Sequence, residues 1–234
     1  MRILLMVLVV IVGVAAGLKI MDMRDRHTSS EKDFENIWFK GDLGQAKAVA
    51  KKENKLLFIY WGAKWCPPCN ELKSQVFSNP DFKNLMAPVV AVYLDGDGEN
   101  AQYWGGQLGV SGYPTILLLD QDGQELWRLS TCVSYEDFRI GLTAAYASRL
   151  AINDLIKKTL DGKATESEQK SLAMTSWSQI DNWSFPKDKA ETLIALFGIS
   201  TVPTAKAQFG AAFIEELIIS KKKYSNSGPV VMLA

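Results

Sequence analysis

Residues Trp61-Gly62-Ala63-Lys64-Trp65-Cys66-Pro67-Pro68-Cys69 decide how this chain is read. They follow an apolar, aromatic run, Leu56 to Trp61 (LLFIYW), with the length and composition of a buried strand. They open the segment Pro67 to Phe77, which reads as the next helix. Proline is tolerated in a first helical turn because the N–H it lacks has no partner there. Cys66 therefore stands at a helix start, where the positive end of the dipole favours thiolate over thiol. A thiolate is the attacking species in disulfide exchange. Cys69 lies one turn further on and can close the ring as the resolving thiol. Trp65 is expected to shield the pair on one side. A bare CxxC is a weak signal, and a static disulfide or an idle pair competes with it. Its place at a strand-to-helix junction makes the redox reading much stronger.

The flanking sequence supplies that context. Asp42 to Asn54 is helix-like, with Ala46, Val49 and Ala50 on one side. Downstream, Asn79 caps a turn at Pro80, Val89 to Leu94 (VVAVYL) is a second buried strand, and Glu99 to Leu108 reads as helix. Thr115 to Leu119 and Glu125 to Leu129 form a hairpin around the turn Asp120-Gln-Asp-Gly123. Ser134 caps a helix to about Leu150, with Glu136 and Asp137 at its positive end. This order implies an α/β fold, a mixed central sheet flanked by helices. Beyond Leu150 the segments Ala151–Leu160, Glu166–Trp177, Asp188–Phe197 and Lys206–Ser220 all read as helices. They form a C-terminal helical extension, residues 151–223, followed by a mobile tail, residues 224–234.

Residues 34–150 resemble the thioredoxin superfamily. Trp65-Cys-Pro-Pro-Cys69 corresponds to its active-site signature, and Gly112-Tyr-Pro114-Thr115 to its second, a loop with a cis-proline that faces the dithiol and binds the substrate backbone. Asp120-Gln-Asp-Gly-Gln-Glu125 resembles the hairpin between the last two strands. Cys69-Asn-Glu-Leu-Lys-Ser-Gln-Val-Phe-Ser-Asn-Pro-Asp81 is similar to exported members like the C-terminal domain of the transmembrane disulfide reductant. The resemblance implies Cys66 as nucleophile, Cys69 as resolving thiol, and Trp65, Tyr113 and Pro114 at the substrate. One departure stands out: many thioredoxins carry a buried Asp six residues before the first Cys, and here that position is Tyr60. A phenol with an ordinary pKa of about 10 is a poor proton acceptor near neutrality, so Tyr60 reads as core packing.

Other features narrow the function. Arg2 precedes an uncharged run, Ile3 to Leu18, ending in Ala15-Ala16-Gly17. Sixteen helical residues span roughly 24 Å, short of a ~30 Å hydrocarbon core. Residues 1–17 therefore read as a signal peptide, with a retained membrane anchor as the alternative. Lys19, Arg24 and Arg26 behind the run mildly oppose export of an anchored domain. The expected location is periplasmic or otherwise extracytoplasmic, with any inner-membrane tie made through that segment. Lys plus Arg and Asp plus Glu are 26 each, so no nucleic-acid partner is suggested. Only Cys132 and His27 could join the CxxC pair as Cys/His ligands, so no metal and no cofactor beyond the dithiol are expected. Cys132 reads as a small buried hydrophobe. Asp95-Gly-Asp97-Gly-Glu99 reads as a polar turn, since Asn100 and Gly106 break the calcium-loop pattern. Gly198-Ile-Ser-Thr-Val-Pro203-Thr204 echoes the cis-proline loop without its CxxC or following strand.

The expected function is thiol–disulfide oxidoreduction on protein thiols and disulfides. Pro67-Pro68 offers no imidazole to stabilise a thiolate, which favours a reductase supplied by a membrane electron donor. The competing function is a non-catalytic binding or assembly module that uses the helical extension.

Overall fold

The computed structural model describes Lys19, residues 36–180 and residues 183–226. The segment 1–17 and His27 lie outside the described residues, as do residues 227–234. Among the described residues, no helix is long and apolar enough to cross a membrane.

Helix α1 (Leu43–Glu53) starts at Asp42. The Asp42 carboxylate accepts from the Gln45 N–H (2.8 Å), and the Gln45 side chain accepts from the Asp42 N–H (3.1 Å). This reciprocal cap satisfies donors that the helix leaves unpaired. Strand β1 (Leu56–Gly62) is buried along its whole length, as its unbroken apolar run requires. Helix α2 (Pro67–Leu72) widens into a π turn, Lys73–Phe77. A short helix α3 (Phe82–Leu85) and strand β2 (Val89–Asp95) follow. Asn79 Oδ1 accepts from the Asp81 N–H (3.0 Å), closing the turn at Pro80. Helix α4 spans Ala101–Leu108, beginning after Glu99 because Gly98 is tied into a turn by its N–H to the Asp95 carbonyl (2.9 Å). Strands β3 (Thr115–Leu119) and β4 (Glu125–Leu129) form the hairpin, and α5 (Tyr135–Ser148) is capped by Ser134.

The sheet order is β2-β1-β3-β4. β1 and β2 run parallel, while β1–β3 and β3–β4 are antiparallel. Alternation along β1 divides its side chains between two cores. Leu56, Phe58 and Tyr60 face a core with Phe77, Phe82, Trp127 and Phe138, under α2, α3 and α5. Leu57 and Ile59 face Leu43, Ala46 and Ala50 of α1.

The C-terminal region has a core of its own, built on Ile156, Leu172, Trp177, Leu193, Leu196 and Phe209. It contains α6 (Ile152–Leu160), α7 (Glu166–Ala173), a 3-10 turn (Trp177–Gln179), α8 (Lys189–Ile199) and α9 (Pro203–Asn226). The helix expected over Glu166–Trp177 stops at Ala173 because the chain turns to the edge of the sheet. There the Ser176 N–H donates to the Arg128 carbonyl (3.1 Å), and the Ser176 hydroxyl accepts from the Ser130 N–H (2.7 Å). The free edge of β4 is thereby covered. The helix expected over Lys206–Ser220 is longer at both ends. Pro203 occupies its first position, where a missing N–H is harmless, so the stretch resembling a cis-proline loop is a helix start. At the other end it passes Lys223 and reaches Asn226, into the segment assigned to the tail.

Candidate active site

Strand directions bring three loops to one edge of the sheet. In the parallel pair Gly62 lies opposite Asp95, so the chain leaves β1 and β2 side by side. β3 runs the other way and Thr115 lies opposite Trp61, so the loop entering β3 arrives at the same place. The segments 63–66, 96–98 and 110–114 therefore converge, at the carboxyl ends of the parallel strands where ligand sites of open α/β sheets form.

Cys66 is the N-cap of α2, and its Sγ accepts from the Cys69 N–H (3.3 Å). A sulfur in that position receives a donor the helix cannot satisfy internally. Cys66 and Cys69 are disulfide-bonded, with Cα atoms 5.2 Å apart, inside the normal span for such a bridge. Both are buried, and they pack with Ala63 and Tyr113. The Tyr113–Pro114 peptide bond is cis. The Tyr113 ring stacks on Trp61 (centroids 6.0 Å apart, planes at 10°) and meets Trp65 edge-on (5.8 Å). A side chain on Gly96 would strike the Tyr113 ring, so the absence of a Cβ there lets the two loops approach. Arg128 anchors the start of the third loop. It is buried, held by both oxygens of Glu125 (2.8 and 2.7 Å), and donates to the Gly109 (2.9 Å) and Leu108 (3.0 Å) carbonyls at the end of α4.

Trp65 is only partly the shield expected of it, being 64% exposed. Its ring is held by Asp97, whose Oδ2 accepts from Trp65 Nε1 (2.7 Å). Sequence reading saw Asp97 only as part of a polar turn. The available signal was the turn's position, directly after the strand that pairs parallel with β1.

Tyr60 is fully buried on the β1 face that carries Phe58. Its ring stacks on Tyr93 (5.2 Å) and meets Phe77 edge-on (4.9 Å). Burial, with smaller contributions from Tyr93 and Asp95, pushes its phenol well above the ordinary value. Burial likewise pushes Tyr93 up to about 12. Neither hydroxyl has a hydrogen-bond partner among the described residues. Tyr60 is thus a neutral core residue where many thioredoxins carry an acid.

Cys132 departs from the expectation of full burial. It is half-buried at the edge of the large core, its Sγ 3.8 Å from Gln75 Oε1. Burial, and then the Glu71 carboxylate, raise its thiol pKa. That environment opposes the thiolate needed for exchange. The site thus brings together Trp65, Cys66, Cys69, Tyr113 and Pro114, and adds Asp97.

A family model described as a thioredoxin-like domain matches residues 43–146. Among curated relatives, the thiol:disulfide interchange protein DsbD of Escherichia coli strain K12 is 33% identical over 100 residues, 42% of this chain and 17% of the relative. The chain thus spans about one sixth of the length of the curated relatives it matches. Among solved structures, the DsbH oxidoreductase is similar over 47% of this chain and 85% of its own, at 18% identity and a TM-score of 0.43. The reduced C-terminal domain of Neisseria meningitidis DsbD is similar over 43% of this chain and 91% of its own, at 21% identity and a TM-score of 0.38.

Proposed function

We propose that this protein is a thiol–disulfide oxidoreductase that reduces protein disulfides outside the cytoplasmic membrane. The supporting observation is the Cys66–Cys69 bridge at the start of α2, packed against Tyr113 of the loop that carries cis-Pro114. In the dithiol form, the Cys66 thiolate attacks one sulfur of a substrate disulfide. The other substrate sulfur leaves as a thiol, and a mixed disulfide joins Cys66 to the substrate. Cys69, as thiolate, then attacks Cys66 Sγ. The second substrate thiol is released, and the Cys66–Cys69 disulfide forms. Two electrons have passed to the substrate, so a donor must reduce the pair before the next turnover.

The expected donor is a membrane protein that carries electrons outward, in keeping with the likeness to DsbD. The location rests on the apolar segment Ile3–Leu18. The direction rests on Pro67-Pro68, which places no imidazole beside Cys66. A redox titration of the pair, run beside turnover of an oxidised protein substrate, tests the whole reading. A potential near −270 mV, about that of thioredoxin, supports a reductase, whereas one near −120 mV, about that of DsbA, reverses the direction. Cys66→Ala abolishes exchange and Cys69→Ala accumulates mixed disulfides. Normal turnover by Cys66→Ala removes the assignment and leaves a binding module.

A further inference from the structure

Gln179, in the 3-10 turn of the helical region, reaches the loop in front of β3. Thr115 is fully buried, and its hydroxyl hydrogen is shared between the Gly112 carbonyl (2.8 Å) and Gln179 Oε1 (3.1 Å). At the other end of the loop, a Cβ on Gly112 would stand 3.4 Å from Gln179 Nε2. Gln179 therefore bonds Thr115 at one end of Gly112-Tyr113-Pro114-Thr115 and stands beside Gly112 at the other, and the shared Thr115 hydroxyl ties the two ends together. Between those ends lies Tyr113, packed against the Cys66–Cys69 pair.

Gln179 is itself firmly held. Its N–H donates to the Ser176 carbonyl (3.1 Å), and Ser176 is bonded to β4 through Arg128 and Ser130. The Trp177 carbonyl accepts from Lys189 Nζ (3.2 Å), and that ammonium pairs with Glu216 of α9 (3.3 Å). The Trp177 ring packs edge-on against Phe209 (6.2 Å). Supports drawn from β4, α8 and α9 thus converge on one amide at the substrate loop.

We propose that Gln179 is a positioning residue: it holds the Gly112–Thr115 loop in the shape that receives an extended protein segment carrying a disulfide. The proposal rests on the oxidoreductase reading above and adds that the helical region takes part in substrate binding. An extended segment must pair its backbone with a fixed partner, and a loop already ordered spares the ordering cost at binding. A small disulfide, which reaches only the sulfurs, has no such need.

The test uses the full chain and the variants Gln179→Ala and Gln179→Glu, the second keeping an acceptor oxygen for Thr115. Gln179 borders a cavity of about 210 Å³ between the two regions, so its truncation causes no clash. The substrates are a flexible peptide with one internal disulfide and a small aryl disulfide. Gln179→Ala is expected to raise KM for the peptide about fivefold, the loss of one hydrogen bond. The ratio of kcat/KM for peptide over aryl disulfide falls by the same factor, the potential of the Cys66–Cys69 pair stays put, and Gln179→Glu restores KM. Hydrogen exchange at the Gly112 and Tyr113 amides accelerates in Gln179→Ala and returns in Gln179→Glu. An unchanged peptide KM overturns the proposal, as does a loss that falls equally on both substrates or moves the potential. A wild-type chain inactive on both disulfides defeats the oxidoreductase reading instead. Exchange then judges the loop alone, and unchanged rates in Gln179→Ala overturn Gln179's part in holding it.

Discussion

The indole N–H of Trp65 donates to the Asp97 carboxylate at 2.7 Å, across a gap of 32 residues in sequence. Trp65 precedes Cys66, and Asp97 sits in the turn after β2, itself tied down by its N–H to Asp95 Oδ1 (3.1 Å). A ring as exposed as this one would sample several rotamers without that bond. Asp97→Ala should release it. Because the bond is exposed, its loss should cost no more than about 1 kcal/mol of substrate binding, a KM rise of up to about fivefold. Folding stability should stay within about 0.5 kcal/mol, as for ordinary surface changes. Stopped-flow turnover checks the first and urea unfolding the second, with Trp65→Phe identifying the ring's fluorescence. A Trp65 emission that ignores Asp97→Ala would show that the tyrosine contact alone fixes the ring.

Tyr60 invites the opposite expectation, a substitution that gains or costs nothing. Its hydroxyl is desolvated and has no hydrogen-bond partner among the described residues, while its ring makes the contacts with Tyr93 and Phe77. Tyr60→Phe keeps the ring and removes the unpaired group. Stability should be unchanged or higher by about 1 kcal/mol, read from the urea midpoint. Exchange kinetics should be preserved, since a phenol held above its ordinary pKa is a poor base near neutrality. A tenfold or greater loss of rate, with stability intact, would instead assign the hydroxyl to proton transfer at Cys69.

The fold of residues 43–146 was legible because its signals are local. The uninterrupted apolar runs of β1 and β2, the apolar side of α1 (Ala46, Val49, Ala50) and the cap at Ser134 each announce an element within a few residues. The dithiol was legible for the same reason, since Cys66 and Cys69 share one helical turn. Asp97 and Gln179 were not. Each acts across a contact made only after folding, and a polar side chain in a turn looks like any other. The early end of the helix after Ala173 has the same origin. Its sequence would continue, but Ser176 finds better partners on β4 than in another helical turn.

Gly141 shows where packing overrules propensity. It lies within α5, where alanine would ordinarily gain about 1 kcal/mol. A Cβ at that position would stand 2.8 Å from Trp127 Cζ2. The indole cannot readily retreat: it is buried, meets Phe138 edge-on (5.8 Å), and its Nε1 donates to the Ser171 carbonyl (3.2 Å). Overpacking of this kind costs about 1–3 kcal/mol. Set against the helix-propensity gain, Gly141→Ala should therefore lower stability by up to about 2 kcal/mol, measured by urea unfolding. A stabilised variant would mean that Trp127 gives way and that the seam between α5 and the helical region is looser than its bonds imply.

Acid should loosen the helical region through Glu168. Its carboxylate is nearly buried, and burial, the largest single influence, favours the neutral acid. The Lys158 ammonium (2.7 Å) and the Thr165 backbone N–H (2.9 Å) together outweigh burial and hold the pKa below its ordinary 4.5. The folded chain thus binds this proton less readily than the unfolded chain does. The group's stabilising contribution is complete above its unfolded pKa and drains away as pH falls through 4.5 toward the lower folded value. Glu168→Gln removes the titration. At neutral pH that variant should melt below the wild type by roughly 2–4 °C, the shift expected for about 1 kcal/mol in a chain of this size. The gap should narrow steadily on acidification below 4.5, because the wild type then carries a neutral side chain there too. Melting curves of both proteins across that range decide the matter, and a gap that stays constant with pH would mean that the Lys158–Glu168 pair contributes shape rather than charge.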